Sequence, residues 1–302
     1  MMDFVLSRRH FISGGITCIA ASVGLSMRDA SAIEPIERIA GSRIKLGCCA
    51  YSYRKYLTGK SPQMTLLDFI QLCAEMELDG VELTAYYFPT PITVEYLNKV
   101  KRTAFLLGID IAGTAVGNNF CLADPSARKR QVERVKQWID YAAEMGAPCM
   151  RIFAGSTPEG HTEEEAIKWV VECIAECCEH AAKRGVMLAL ENHGGVTRSA
   201  KQLLTIVMAV DSPWFGVNLD TGNFRTVNPY DDIAQVAQYA ITSHLKTHVT
   251  PRGRKSQPAD FARIISILRD ANYRGYLNIE YEAREDPRTA IPKLVNQLRA
   301  LL

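Results

Sequence analysis

From residue 44 onward, the sequence alternates short apolar runs with longer segments that repeat apolar residues at helical spacing. Each short run has the length and composition of a buried strand, and each longer segment predicts an amphipathic helix. Parallel strands need a crossover connection between them, so this alternation predicts a parallel sheet. The eight predicted strands are Ile44–Ala50, Val81–Thr84, Ile109–Val116, Met150–Phe153, Val186–Leu190, Phe215–Leu219, Ile241–Thr247 and Tyr276–Tyr281.

Eight strand–helix units in about 260 residues match the usual size of one (β/α)₈ TIM barrel. An open doubly wound sheet is the structural alternative, and it usually carries a glycine-rich phosphate turn after its first strand. The residues that follow the first predicted strand, Cys49–Tyr53, contain no glycine. The sequence therefore favours the α/β class and a single-domain closed barrel over residues 33–302.

Several predicted helices begin at recognisable capping sequences. Asp124 and Asp286 each precede a proline, which suits the first turn of a helix, and Asn228-Pro229 has the same form. Thr162 is followed three residues later by Glu165, the spacing of a capping box. Ser199 similarly precedes the helix that follows the fifth strand.

The first 32 residues have the character of an export signal. A twin arginine, Arg8-Arg9, precedes the mildly apolar run Ile12–Leu25, and Ala30-Ser31-Ala32 has the pattern of a signal-peptidase site. The alternative is a chance arginine pair in an unstructured terminus, but the three features occur in the right order. We predict a twin-arginine-type signal peptide over residues 1–32, recognition by the twin-arginine export machinery, and a periplasmic location. Whether the signal is cleaved or kept as an anchor stays open.

The charge balance argues against a nucleic-acid partner. The formal net charge is only +2, so no strong positive field would attract a polyanion. We therefore expect a small-molecule carbohydrate as the partner, and homo-oligomerisation stays open.

The nine cysteines do not form a recognisable metal or disulfide framework. Cys18 lies in the signal segment, and the other eight include no C-x-x-C pair. A domain of this size does not need disulfides for stability, so we interpret them as small buried apolar residues.

Four consecutive predicted strands end with residues that ligate metals: Glu191, Asp220, His244 and Glu280. All strands of a parallel barrel end at the same rim, where such enzymes hold their reacting groups. Individually these residues could cap turns, lie in the core or face solvent. Together they would bury three carboxylates, which is unfavourable unless a cation neutralises them. Their oxygen-rich composition predicts one divalent ion, with Mn²⁺, Mg²⁺ or Co²⁺ favoured over a thiolate-type zinc site.

The residues around these positions resemble the sugar phosphate isomerase/epimerase family. This family belongs to the superfamily of xylose isomerase-like TIM barrels, which includes ketose 3-epimerases, inosose dehydratases and endonuclease IV. The similarity spans nearly the whole chain after Leu46. It is carried by Leu190-Glu191-Asn192-His193-Gly194-Gly195, Leu219-Asp220-Thr221-Gly222-Asn223, His244-Leu245-Lys246, Gly275-Tyr276-Leu277-Asn278-Ile279-Glu280, Gly80-Val81-Glu82-Leu83 and Arg151-Ile152-Phe153.

The resemblance implies a metal-dependent carbohydrate or cyclitol isomerase or epimerase. Glu191, Asp220, His244 and Glu280 would hold Mn²⁺, or alternatively Mg²⁺, Co²⁺ or Zn²⁺. Glu191 and Glu280 would also exchange protons with the substrate, next to a carbonyl, through an enediolate that the metal stabilises. Relatives commonly have aspartate where this chain has Thr247, and His248 offers a second imidazole. His244 is preferred as the ligand because Lys246, which belongs to the pattern, follows two residues later.

Five further residues lie at or just beyond predicted strand ends and are candidates for holding substrate hydroxyls: Glu82, Arg151, His193, Asn223 and Lys246. For Arg151, a structural ion pair inside the barrel is an equally good interpretation. Arg252, Arg254 and Lys255 follow the seventh strand, where many barrels bind phosphate. Because an exported enzyme rarely meets sugar phosphates, the sequence favours a solvated loop for these three.

Three other functions remain to be distinguished from isomerisation. A lyase or dehydratase acting on a keto-sugar or 3-keto-glycoside would begin with the same proton abstraction. A nuclease related to endonuclease IV would use three metals and more histidines than the five that follow residue 32. A catalytically silent binding barrel would not need the complete set of four ligands.

Overall fold

Eight parallel strands close into a barrel in the computed structural model, which describes residues 34–302. The predicted export signal, residues 1–32, lies outside the described residues. Each strand pairs with its neighbours along the chain, and the first strand pairs with the last, which closes the sheet. The strands are β1 Arg43–Cys49, β2 Gly80–Thr84, β3 Asp110–Ala115, β4 Cys149–Ile152, β5 Met187–Glu191, β6 Phe215–Asp220, β7 Ala240–Leu245 and β8 Arg274–Ile279.

A helix follows each strand, and the predicted (β/α)₈ TIM barrel is confirmed. The helices are α1 Leu66–Glu75, α2 Val94–Leu106, α3 Pro125–Met145, α4 Glu163–Arg184, α5 Ala200–Ala209, α6 Pro229–Val236, α7 Phe261–Asp270 and α8 Pro287–Arg299. Three short 3₁₀ turns and a four-residue helix, Arg54–Leu57, lie in connections at the C-terminal side, and a fourth 3₁₀ turn, Ala237–Tyr239, precedes β7.

The predicted caps are present at most of these helices. Thr162 accepts a hydrogen bond from the backbone N–H of Glu165 at 3.2 Å, while the Glu165 carboxylate accepts from the N–H of Thr162 at 2.8 Å. This capping box satisfies two of the N–H groups that a helix start leaves unpaired. Asp124 and Asp286 cap α3 and α8 with their side chains, whereas Asn228 makes no side-chain cap bond.

The main core lies between the strands and the surrounding helices. On α3, the apolar face expected from the sequence, Val132, Val135, Ile139 and Ala142, is at most 2% exposed. Burying one such aliphatic side chain contributes about 1.5–3 kcal/mol, so this layer is a major source of stability. No helix among residues 34–302 has both the length and the hydropathy needed to cross a membrane.

The seventh strand is shorter than the sequence predicts. It ends at Leu245, and the backbone N–H of Lys246 donates to Thr221 Oγ1 at 3.1 Å instead of continuing the ladder. The chain then forms a small antiparallel ladder between His248–Val249 and Gln257–Pro258. This change of direction brings the Lys246 side chain onto the rim of the barrel.

Candidate metal centre at the barrel mouth

The four predicted ligands lie at the C-terminal ends of neighbouring strands. Glu191 and Asp220 are the last residues of β5 and β6, and Glu280 follows β8 directly. In the β6–β7 register Asp220 is the partner of His244. All four are buried, with at most 6% of their surface exposed. Alternate residues of a strand face the same side, so each ligand points into the barrel interior with the residue two positions before it.

Glu191 is held by three side chains. Its Oε2 accepts from Asn218 Nδ2 at 3.2 Å and lies 3.1 Å from Arg151 Nε. Its Oε1 accepts from Asn223 Nδ2 at 3.1 Å. The carboxylate is therefore fixed in orientation and neutralised by one buried guanidinium.

Asp220 is fixed through its backbone, but one of its carboxylate oxygens is left without a partner. Its N–H donates to Asn192 Oδ1, and its C=O accepts from Asn192 Nδ2, both at 2.8 Å. Oδ1 accepts from the N–H of Gly222 at 2.8 Å. Oδ2 forms no hydrogen bond among the described residues and lies 3.7 Å from Lys246 Nζ. Burial raises the pKa of Asp220 well above its usual range.

His244 presents one ring nitrogen to each side of the barrel interior. Nε2 lies 2.8 Å from Glu82 Oε2. Nδ1 lies 3.2 Å from Asn218 Nδ2, 3.5 Å from Glu280 Oε2 and 3.7 Å from Glu191 Oε2. Glu82 thus fixes the plane of the ring and leaves Nδ1 facing the carboxylates.

The charges around His244 also affect its protonation. Burial alone lowers the pKa of His244, but Cys49, Glu82 and Glu280 more than offset this and raise it well above its usual value. The neighbouring acidic groups therefore favour the protonated imidazole, and a bound cation would compete with that proton.

Lys246 crosses the rim and contacts the remaining carboxylate. Its Nζ lies 2.7 Å from Glu280 Oε2 and also pairs with Glu282. Although burial raises the pKa of Glu280, His244 and Lys246 hold it well below its usual range. Lys246 takes this path because Gly222 lies beneath it, where an added Cβ would come within 2.5 Å of the lysine Cβ.

The donor set fits a divalent cation. One ligand atom each from Glu191, Asp220 and His244 lie within 4.8 Å of one another, and Glu280 Oε2 is 3.5 Å from the same imidazole nitrogen. Asp220 Oδ2 and Glu280 Oε2 are buried without a well-directed hydrogen bond. Such oxygens are unfavourable in a protein interior unless a cation is near them. The residues present therefore match the requirements of an oxygen-rich metal site.

A second cluster, Cys49, Glu82 and His244, has similar spacing. There the Glu82 oxygen and the His244 nitrogen form a hydrogen bond of 2.8 Å, so these two polar atoms are satisfied without an ion. Burial also raises the pKa of the Cys49 thiol well above its usual range, which disfavours the thiolate that metals bind. This cluster therefore fits a supporting role behind His244.

The other predicted substrate residues divide into buried and accessible ones. Glu82 and Arg151 are buried partners of His244 and Glu191, so both contact the centre itself. Asn223 and His193 line a cavity of about 780 Å³ above it, and His193 stacks on Phe153 with ring centroids 4.4 Å apart. Lys246 and Asn223 line an adjoining cavity of about 580 Å³. The alternative imidazole, His248, is exposed and contacts Thr247.

Three residues of the centre were not found from the sequence: Asn192, Asn218 and Cys49. Asn218 bridges Glu191 and His244, and Asn192 fixes the backbone of Asp220. A signal existed for Asn218, because it is a polar residue within an apolar strand and lies two positions before Asp220. That spacing places both side chains on the inner face of β6.

Comparisons with known proteins agree with this architecture. A family model described as a xylose isomerase-like TIM barrel matches residues 70–301. A human protein named "Putative hydroxypyruvate isomerase" is 29% identical over 239 residues, covering 68% of this chain and 81% of that protein. A Haemophilus influenzae protein named "Putative L-ribulose-5-phosphate 3-epimerase SgbU" is 28% identical over 184 residues, covering 54% and 63% of the two chains.

Solved structures share the fold at lower sequence identity. D-psicose 3-epimerase from Clostridium cellulolyticum H10, crystallised with D-tagatose, superposes with a TM-score of 0.67 and 19% identity, covering 83% of this chain and 89% of that one. The 3-keto-D-glucoside 4-epimerase YcjR from E. coli gives a TM-score of 0.67 and 16% identity, with coverages of 86% and 99%.

Proposed function

Because the chain belongs to the xylose isomerase-like TIM barrel family, we propose that it is a metal-dependent carbohydrate or cyclitol isomerase or epimerase. It would move a proton at a carbon next to a carbonyl group. The names of two relatives, "Putative hydroxypyruvate isomerase" and "Putative L-ribulose-5-phosphate 3-epimerase SgbU", denote reactions of this class. The observation that carries the proposal is the approach of two buried carboxylates, Glu191 and Glu280, to the same imidazole nitrogen.

Glu191, Asp220, His244 and Glu280 are the residues that would hold the ion. We propose Mn²⁺, with Mg²⁺, Co²⁺ and Zn²⁺ as the alternatives that elemental analysis would distinguish. When bound, a divalent ion would polarise the substrate carbonyl and stabilise negative charge on its oxygen. Asp220 Oδ2, which is buried without a hydrogen bond among the described residues, supports this assignment.

The two glutamates would exchange the proton. Glu191 is oriented by Asn218 and Asn223, and Glu280 by Lys246, so each carboxylate is held in place before the substrate arrives. One carboxylate removes and keeps the proton next to the carbonyl, and the other, protonated beforehand, donates its own proton to the intermediate. Protonation on the opposite face of the same carbon gives an epimer, whereas protonation of the neighbouring carbon gives an isomer.

Hydrogen exchange in D₂O tests this scheme directly. Wild-type protein with its native ion restored should incorporate deuterium into a keto-sugar or 3-keto-glycoside at the carbon next to the carbonyl. Glu191→Gln and Glu280→Gln should slow exchange by about 10²–10⁴-fold, because each removes one proton-transfer group. The control is Glu285→Gln, an exposed glutamate that pairs with Lys293, and it should exchange normally.

Near-normal exchange in both glutamine variants would reject the two-carboxylate scheme. NMR of the products separates the remaining possibilities. An epimer or isomer supports the proposal, whereas loss of the substituent beta to the carbonyl would identify a lyase.

We also propose that the chain is exported to the periplasm by the twin-arginine machinery, on the basis of residues 1–32. Replacing Arg8 and Arg9 together with lysine should retain the protein in the cytoplasm, as measured by fractionation of cells expressing the full chain. Arg28→Lys, in the same segment but away from the twin pair, is the matched control and should leave export unchanged. Equal export of the two variants would contradict the assignment.

A further inference from the structure

The cavity of about 780 Å³ beside Glu191 is rich in positive charge. Loops that follow β5, β6 and β7 form its walls, and three arginines line it: Arg198, Arg225 and Arg252. No carboxylate among the described residues lines this cavity. A volume of this size is typical of sites that hold a small molecule.

The three arginines are not equally available to a ligand. Arg198 Nη2 donates to Glu163 Oε2 at 2.9 Å, so its charge already has a partner. Arg225 and Arg252 are exposed, and neither pairs with a carboxylate of residues 34–302. Asp232 lies beneath the cavity, but its oxygens already accept from the Ala200 N–H and the Thr226 hydroxyl. Two guanidinium groups therefore remain without a counter-charge.

The backbone holds these two arginines together. The N–H of Arg252 donates to the carbonyl of Thr226, the residue after Arg225, at 2.7 Å. A turn over Pro251–Arg254 fixes the other end of this loop, because the N–H of Arg254 donates to the Pro251 carbonyl at 3.0 Å. Like charges repel at short range, so this arrangement is best suited to an anion that both can contact.

Asn223 links this cavity to Glu191. It lines the cavity and donates to Glu191 Oε1 at 3.1 Å. Gly194 and Gly195, which have positive φ angles of 69° and 50°, form another part of the wall without side chains. A ligand that contacts the arginines in this cavity would therefore lie next to Asn223, the residue that orients Glu191.

We propose that Arg225 and Arg252 form a subsite for an anionic group, either a phosphate or a carboxylate, at the end of the carbohydrate substrate that does not react. This inference rests on the proposed function and narrows its substrate class to charged carbohydrates. Guanidinium groups match both anions because their parallel N–H donors can bind two oxygens at once. This gives Arg252 a binding role in place of the solvated loop that the sequence favours. Of the two anions, the carboxylate is the one that agrees with the proposed export, because an exported enzyme rarely meets sugar phosphates.

The first test compares substrates that differ only in charge. The protein with its ion restored is assayed with a ketohexose, the same ketohexose phosphorylated at its terminal carbon, and the corresponding ketohexuronate. The wild type should prefer one of the two charged forms, and which one identifies the anion. The double variant Arg225→Gln/Arg252→Gln should raise KM for that form by about ten- to one-hundredfold, because it removes charge-assisted hydrogen bonds. The value of kcat, and KM for the uncharged sugar, should stay within about twofold.

The matched control is Arg254→Gln. Arg254 belongs to the same exposed turn but does not line the cavity, so this variant should keep the wild-type KM values. A second readout needs no turnover: inorganic phosphate should raise Tm of the wild type and of Arg254→Gln, but not of the double variant.

The outcomes separate this inference from the proposed function. The anion subsite is overturned if the uncharged sugar is turned over at least as fast as both charged forms and the double variant has no effect. This result leaves the isomerase assignment intact. If no sugar shows turnover or hydrogen exchange, the proposed function fails, and phosphate binding still decides about the subsite. An equal phosphate effect on Tm in all three proteins would overturn the subsite in that case.

Discussion

Replacing Asp220 with asparagine should change the stability of the protein mainly when a divalent ion is bound. Asp220 is completely buried, and its Oδ2 has no hydrogen-bond partner among residues 34–302. Asparagine has nearly the same shape and can keep the bond between Oδ1 and the Gly222 N–H. We expect Asp220→Asn to be about as stable as the wild type in the presence of a chelator, and to lose stabilisation by the ion.

The size of the first effect follows from three terms. Removing the carboxylate relieves a desolvation penalty of several kcal/mol. It also removes the attraction to Lys246 Nζ at 3.7 Å, which is of similar size at an effective protein dielectric constant. These two terms roughly cancel, and the asparagine Nδ2 that replaces Oδ2 is itself an unpaired buried group with a similar cost of about 1–3 kcal/mol. In EDTA the Tm of the variant should therefore lie within about 4 °C of the wild type.

The second effect is set by mass action. An ion present at one hundred times its Kd stabilises the folded state by about 2.7 kcal/mol, which raises Tm by about 5–10 °C. The wild type should show this increase with Mn²⁺. The variant, which lacks one ligand oxygen of the cluster formed with Glu191 and His244, should show little or none of it.

Thermal unfolding of both proteins, in EDTA and in excess Mn²⁺, measures the two effects together. Asp232→Asn is the matched control, because Asp232 is also buried but both of its oxygens accept hydrogen bonds. It should lower Tm in EDTA and leave the response to Mn²⁺ intact. If the Tm of Asp220→Asn lies more than about 4 °C below that of the wild type in EDTA, or the variant gains as much from Mn²⁺, the unpaired oxygen is not a metal ligand.

Three further predictions concern other parts of the chain. Glu82→Gln should weaken metal affinity by about 10–100-fold in a chelator competition, because it weakens the hydrogen bond that orients His244, while far-UV circular dichroism stays near wild type. Unchanged affinity would contradict this. Hydrogen bonds from Lys55 and neighbouring donors lower the pKa of Asp286 to about 2, so its contribution to stability is present above the unfolded pKa near 4 and is lost as pH falls towards 2. The difference in Tm between wild type and Asp286→Asn should therefore be constant above about pH 5 and disappear near pH 2. All eight described cysteines are buried, and burial raises the pKa of Cys149 to about 12. A disulfide reagent at pH 8 should therefore react with these thiols only after the protein unfolds. Rapid labelling of the native protein would be inconsistent with this.

The fold and the positions of the ligands could be predicted because they depend on local patterns. Strand–helix alternation specified a parallel barrel, and a parallel barrel places all strand ends on one rim. Knowing where β5 and β6 end was therefore sufficient to place Glu191 and Asp220 close together. The register agrees, because Glu191 pairs with Asn218, which lies two residues before Asp220 on β6.

The contacts behind the ligands could not be predicted in this way. Glu82 and His244 are 162 positions apart, and β2 and β7 are not neighbours in the barrel, so their hydrogen bond crosses the interior. Its length depends on the diameter and stagger of the closed sheet, which no local pattern specifies. The position of Lys246 over Gly222 likewise depends on where β7 leaves the barrel, and the sequence placed that end two residues too late.

The pairing of charges explains why Asp220 differs from the other carboxylates at the barrel mouth. Three of the four that are buried there have a close cationic or imidazole partner: Glu191 with Arg151, Glu280 with Lys246, and Glu82 with His244. Asp220 has only the more distant contact with Lys246 at 3.7 Å. Removing the charge of Glu191 leaves Arg151 as an unpaired buried cation, which costs about 3–5 kcal/mol. Glu191→Gln should therefore fold but unfold at a lower temperature in EDTA, whereas Asp220→Asn should stay near the wild-type Tm. A shift of the same sign and size in both variants would mean that the buried charges are not paired as the distances indicate.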